Sequence, residues 1–334
     1  MTIKKLTVIA AAGAVLLAGA LGISMKLTSQ SAMEIEVPET PAVQESVTGA
    51  HTLDAMENTP LYFDETEKLL LPLRNVMEGL GGTVEWNPET KMTEVTYRGR
   101  TLALKAGEKQ ALLNGYDVTL PEAAEMINGC LYADEVLLSA YYTGEVDFNT
   151  ETRQVTLQTK DNTVPLVAMY VLQGAEDGRE YEIEVPVLVG LNDSKYEKSL
   201  NENIMQEMQG VGAAFLAKAE AEGKLNLQLQ TGMCKKEFIS LFWEGSEADI
   251  AVRLAKNIDL LGQKSVVLSD MLADASMDEV KTAAGQEWTA DCFYLTEEGG
   301  LMLLKGDSDS GQSIQHWANE NPLEWQKGYH DLMK

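Results

Sequence analysis

Leu71 to Thr96 reads LPLRNVMEGLGGTVEWNPETKMTEVT, and at an offset of 62 residues Ala133 to Gln158 reads ADEVLLSAYYTGEVDFNTETRQVTLQ. Val84 aligns with Val146, Trp86 with Phe148, Asn87 with Asn149, and Thr90-Lys91 with Thr152-Arg153. Both stretches follow one physical logic. Leu73, Val76, Met77 and Leu80 stand at i, i+3, i+4 and i+7, which puts four apolar side chains on one face of a short helix. Gly81-Gly82 stops that helix, because glycine tolerates the left-handed cap conformation. Thr83 to Trp86 alternates as a strand, Asn87-Pro88 turns, and the chain returns from Glu94 to Tyr97. Between the copies, Arg100 to Leu104 and Ala111 to Leu120 are hairpin material around Asn114-Gly115, a strong two-residue turn signal. Residues 58–162 therefore read as a two-copy helix and β-hairpin repeat domain.

This combination resembles the repeat domain named after the N-terminal domain of copper amine oxidases, common on surface proteins of Gram-positive-type bacteria. LPLR at 71–74, the helix ending in LGG at 80–82, VEWNPETK at 84–91 and Asn114-Gly115 carry the match over about residues 58–160. The second copy departs from the pattern, with ADEV at 133–136 in place of LPLR and Tyr-Tyr-Thr-Gly at 141–144 in place of Leu-Gly-Gly. The family name speaks of copper and oxidation, yet the resemblance implies neither. It implies a stalk or wall-associated module with a structural or adhesive role, separate from any catalytic barrel. The chain has three histidines, His51, His316 and His330, too few for a histidine-rich metal centre, and no cofactor or metal is expected.

Outward from the repeat, the texture changes on both sides. On the N-terminal side, Leu6 to Met25 is an uncharged stretch between Lys4-Lys5 and Lys26, long enough to span a bilayer core of roughly 30 Å. The lysines before it, and the absence of Lys or Arg between Lys26 and Lys68, orient the rest of the chain outside. Two readings stand for residues 1–26: a signal peptide cleaved after Ala18-Gly19-Ala20, or an uncleaved membrane anchor. Five residues before the apolar stretch leave no room for a cytoplasmic domain. Residues 27–57, rich in Ser, Thr, Pro and Glu, read as an acidic flexible tether.

Residues 163–334 read as a second domain. Tyr181 to Leu191 is a strand whose Pro186 marks an edge or a bulge. Asn192 or Asp193 caps a helix running to Glu222, with Tyr196, Leu200, Ile204, Met208, Val211 and Phe215 on one face and Gly223 as its stop. Leu225, Leu227 and Leu229 alternate with polar residues, and further strands are expected at Phe238–Trp243, Ala248–Asp259 and Cys292–Leu304, the last turning at Glu298-Gly299-Gly300. A short helix, Met277–Ala284, is expected with Ser276 as its cap. The fold class is α+β: two small α+β domains, the second an antiparallel sheet with one long helix. VPVLVGLNDSKYEKSLNENI at 185–204, residues 238–272 and FYLTEEGGLMLL at 293–304 resemble the extracellular domain of RsiV-type anti-sigma factors. That resemblance implies a lysozyme-type ligand. The chain departs from it in lacking a cytoplasmic segment, and in WEGSEAD at 243–249, which has no Gly-Gly-Ala-His loop.

Composition narrows function further. Lys plus Arg is 26 against Asp plus Glu 52, a net charge of −26, which repels phosphate backbones and excludes nucleic-acid binding. No H-E-x-x-H, G-x-S-x-G, Walker or G-x-G-x-x-G motif occurs. Asp307-Ser308-Asp309-Ser310-Gly311 has alternating carboxylates, but Gly311 and Ala318 stand where a calcium loop needs oxygen ligands. Asp64, Glu65 and Glu67 read as a solvated acidic face, and His316 has no nucleophile beside it. Cys234 and Cys292 are the pair that an oxidising compartment would bridge, with three unpaired thiols as the competing reading. Trp243, Trp288, Trp317 and Trp325 are the candidate ligand-binding residues, since grouped aromatics carry much of an interface's binding energy; core packing is the competing reading.

The expectation from sequence is a non-catalytic exported cell-envelope protein. It sits on the outer face of the membrane, in the wall, or is secreted, and binds an extracellular or wall ligand such as a basic lysozyme-type hydrolase. The alternatives are an envelope hydrolase with an unrecognised carboxylate site and a membrane-anchored sensor component.

Overall fold

The computed structural model describes residues 50–53, 62–63, 69–149, 151–152, 154–159, 163–218, 222–247, 250–284, 292–303, 315–316 and 323–329. The apolar stretch Leu6–Met25, most of 27–57, the Asp64, Glu65 and Glu67 cluster, Trp288, Trp317 and the 307–311 loop lie outside the described residues.

Along the repeat module run β1 (Ala50–Leu53), β2 (Tyr62–Phe63), β3 (Leu69–Pro72), α1 (Leu73–Gly79), β4 (Thr83–Asn87), β5 (Met92–Tyr97) and β6 (Arg100–Leu104). They are followed by β7 (Gln110–Leu113), β8 (Tyr116–Thr119), β9 (Glu125–Ile127), β10 (Cys130–Asp134), α2 (Glu135–Tyr141), β11 (Thr143–Asn149) and β12 (Gln154–Thr159). The 62-residue offset is geometric as well as sequential. Strands β3 and β10 pair antiparallel with Leu71 opposite Ala133, its own counterpart, and Leu70 and Pro72 opposite Asp134 and Tyr132. The two copies thus face each other across a local two-fold axis. Helices α1 and α2, seven residues each, send Leu73, Val76, Met77, Leu137, Leu138 and Tyr141 into one core.

The recurrent Asn has a shared task. Asn87 Oδ1 accepts from the amides of Glu89 and Thr90, and Asn149 Oδ1 accepts from Glu151 and Thr152, so each hairpin turns on the same side-chain cap. Gly82 is required because a Cβ there would lie 2.8 Å from the Thr96 carbonyl oxygen. In the first copy, β5 pairs onward with β6, Thr93 opposite Leu104. In the second, β12 pairs with β1, Val155 opposite Leu53. Residues 50–53, inside the stretch read as tether, therefore supply the third strand that the second copy lacks.

The C-terminal module comprises β13 (Leu166–Glu176), β14 (Arg179–Val189), α3 (Ser194–Leu216), β15 (Gly223–Cys234), β16 (Phe238–Glu247), β17 (Ile250–Asp259) and β18 (Lys264–Ser265). After them come α4 (Leu268–Met271), α5 (Asp274–Ala284), β19 (Phe293–Leu295), β20 (Leu301–Leu303) and β21 (Gln315–His316). Strands β13 to β18 form one sheet in sequence order. All its pairings are antiparallel except β14 with β15, which are parallel and are joined through α3, as parallel neighbours require a crossover. Ile204, Met208 and Phe215 of α3 meet Ile183, Val185, Leu227, Leu241 and Trp243 in a second core.

Two helix expectations shift. Helix α3 ends at Leu216, not Glu222, because Phe215 and Leu216 are its last side chains to pack on the core and 217–222, AKAEAE, offers no large apolar residue. Helix α5 begins at Asp274, so Ser276 lies inside it, buried, its Oγ accepting from the Glu324 amide.

Pro186 marks an edge. Strand β15 pairs with β14 only over Arg179–Ile183, and no other described strand lies on that side of 184–189. Side chains close it instead: Asn201 accepts from the Leu188 amide and donates to the Leu188 carbonyl, and the Trp243 indole donates to the Glu184 carbonyl. Pro186 shares the parity of Glu184 and Leu188, so its missing N–H falls on this open side, where no ladder bond is lost.

The modules share a core. Leu166, Ala168, Val187 and Val189 of β13 and β14 belong to the same cluster as the repeat's Leu71, Met77 and Leu137. The buried Arg100 guanidinium donates to the Val164 carbonyl, and the Val171 amide donates to Thr119 Oγ1.

Candidate binding surfaces

The start of α3 gathers a network of hydrogen-bonded polar groups. Asp193 caps the helix, accepting from the amides of Lys195 and Tyr196, while Gln263 donates to its other oxygen. The Tyr196 amide bond, followed by the Gln263 contact, holds the Asp193 carboxyl below its usual range. One turn on, Glu197 Oε2 accepts from both Gly190 and Leu191. Burial raises its pKa, against the lowering pull of those two amides and of the Tyr116 hydroxyl. Burial first, and then Glu197, push the Tyr116 phenol up to about 12. These groups tie β8 of the repeat to α3.

Beside this network lies a cavity of about 150 Å³, walled by Pro165, Leu191, Asp193, Tyr196, Lys236 and Leu260 among others. That is the size of one medium side chain. Leu261, 69% exposed, stands at its mouth. A wider groove of about 620 Å³ opens at the β13–β14 turn, rimmed by Glu176, Asp177, Glu180 and Glu222. At its base Arg179, 3% exposed, lies over the Phe215 ring and pairs with Glu247, which also takes Lys218.

Of the four candidate tryptophans, two are described. Trp243 is 1% exposed and serves the second core, its indole N–H spent on Glu184. Trp325 is half-buried against a third cluster formed by α4, α5, β19 and β20, and bridges to Leu272. The structure thus places these two in separate clusters. Burial also raises the Glu184 pKa, and its carboxylate accepts from the Leu229 amide. Both raised carboxyls, Glu184 and Glu197, are therefore engaged as backbone acceptors. No cluster of three or more His, Cys, Asp or Glu among the described residues has metal-holding geometry. Cys130, Cys234 and Cys292 form no disulfide.

The Glu197 and Asn201 contacts and the outer edge of β17 are not evident from sequence. A polar pair spaced i, i+4 on the apolar face of α3 was the available signal for the first two. Every residue of β17 is paired with β16, but β18 reaches only Ile258 and Asp259 on the other side.

Residues 51–157 match the family described as "Copper amine oxidase N-terminal domain". A Brevibacillus choshinensis protein named "Protease inhibitor" is 23% identical over 202 residues, which cover 56% of this chain. The chain spans 61% of that relative's length. An overlap of 56% is more residues than lie ahead of position 158, so the likeness reaches into the C-terminal module. Among solved structures, members of the DUF3298 family from Bacteroides fragilis and Pseudomonas aeruginosa are similar over 42% of this chain. The first is 13% identical with a TM-score of 0.29 over 83% of its length, and the second 16% identical with a TM-score of 0.28 over 79% of its length.

Proposed function

We propose that this is a non-catalytic exported protein of the bacterial cell envelope, which holds its C-terminal module outside the membrane to bind a basic extracellular hydrolase. The observation that carries the reading is the net charge of −26, which draws a basic protein and repels an acidic one. Three things support it. The stalk-type repeat is fused to the C-terminal module through a common core. The apolar N-terminal stretch directs export. A relative named as a protease inhibitor extends over both modules. The two raised carboxyls, Glu184 and Glu197, accept from backbone amides, which gives them a structural task.

The shared core dictates the test: the chain is used with both modules together. Immobilised protein is presented at low salt with a basic lysozyme, with basic secreted proteases, and with an acidic protein of similar size. Binding of a basic hydrolase, with loss of its activity and about tenfold weaker affinity at several-fold higher salt, is the expected result. Retention of no basic protein at low salt overturns the reading. Protease shaving of intact cells checks the location, with the protein cut only from outside as the expected outcome.

A further inference from the structure

The sheet of the C-terminal module ends in an edge that the described strands cover only at Ile258 and Asp259. β17 pairs with β16 from Ile250 to Asp259, whereas β18 covers only Ile258 and Asp259. The Val266 amide donates to the Asn257 carbonyl, which fixes the parity: odd-numbered residues of β17 direct their backbone groups away from β16. Ala251, Arg253 and Ala255 therefore continue that outward row, and no described strand runs beside them. Edge strands are normally guarded by free charges or proline. Here the charges are drawn aside, Arg253 to Glu244 across the hairpin and Lys256 to Glu207 on α3. Val252 and Leu254 lie half-buried against the second core, so a strand laid beside β17 would cover apolar surface as well as make main-chain bonds.

We propose that an extended segment of the basic partner adds to the outer edge of β17, in line with β18, with apolar side chains at alternate positions over Val252 and Leu254. This rests on the reading of a basic partner given above. The net charge of −26 argues for that occupant over a second copy, because two such chains repel. Strand addition of this kind takes affinity from the backbone and selectivity from every second side chain.

The test is amide exchange on the two-module chain, first alone and then with a synthetic extended peptide of alternating lysine and valine as probe. Alone, the amides of Ala251, Arg253 and Ala255 are expected to exchange fast while those of Val252 and Leu254 are protected. The peptide is expected to slow the three fast amides. Ala251→Pro, which removes one outward N–H at an exposed position, is expected to weaken peptide binding about fivefold, and Ala251→Ser to leave it unchanged. Slow exchange at all three in the isolated chain, at every protein concentration or only at high ones, means the chain itself or a second copy covers the edge and overturns the proposal. Peptide binding that protects other amides and ignores Ala251→Pro overturns the edge while leaving the basic-partner reading intact. Failure of both the peptide and basic proteins to bind at low salt overturns the two together.

Discussion

Glu197 shows how much one residue settles. Its carboxylate is buried, which raises its pKa, and it is kept in place by two amides and a phenol. A carboxyl raised on folding binds more protons folded than unfolded. Its contribution to stability therefore falls as pH rises from the unfolded value of about 4.5 through the raised folded value, and is constant above that. Glu184 acts with the same sign. Glu197→Gln keeps an acceptor for Gly190 and Leu191 without the charge. Urea unfolding across mildly acidic pH is expected to show a shallower loss of stability for that variant than for the parent. Glu197→Ala takes the acceptor from the part-buried Gly190 and Leu191 amides and is expected to cost about 0.5–1.5 kcal/mol for each, read from the same titrations at neutral pH.

At the scale of elements, α3 carries two glycines with opposite roles. A Cβ at Gly210 would meet nothing within 4 Å, whereas one at Gly212 would lie 2.6 Å from the Tyr181 ring. That ring is also held by Gly174, directly across the sheet. Gly210→Ala is expected to stabilise by about 0.5–1 kcal/mol through helix propensity. Gly212→Ala gains the same propensity and is still expected to destabilise, because the Tyr181 ring, pressed between Gly212 and Gly174, must shift; thermal unfolding of the pair separates the effects. The hairpin caps give a second check. Asn87→Ala and Asn149→Ala each remove two side-chain bonds to turn amides and are each expected to cost about 1 kcal/mol, Asn87→Ala the more because its Nδ2 also donates to Glu94 Oε1. Element existence was legible in the sequence for this reason: the apolar face at Leu73, Val76 and Met77, the Asn-led turns and the alternating leucines of β15 are local patterns. The length of α3 was not, since its end depends on where Phe215 and Leu216 meet a sheet built from residues before and after it.

For the molecule as a whole, the shared core has a thermodynamic consequence. Val189 belongs to β14 but is fully buried among repeat-module residues. Val189→Ala is expected to cost about 2–3 kcal/mol and to lower the stability of both modules together. Calorimetry is expected to show one transition over residues 50–329 in the parent and in the variant. Two separate transitions, with only one moved by the substitution, would contradict a common core.

What the sequence determined by itself is what short-range physics encodes: an α+β chain, a duplicated helix and hairpin unit, a strongly acidic charge, and a proline that fits an edge or a bulge. The tertiary structure decided the rest. Leu71 opposite Ala133 and β1 completing the second copy are pairings between distant segments, and no local pattern records which strand becomes whose neighbour. Trp243 shows the same limit at a candidate site: a tryptophan reads alike in sequence whether it faces a ligand or a core, and only the packing of β14, β16 and α3 around it placed this one inside. The open edge of β17 is likewise a property of what fails to lie beside a strand, which the strand's own residues do not specify.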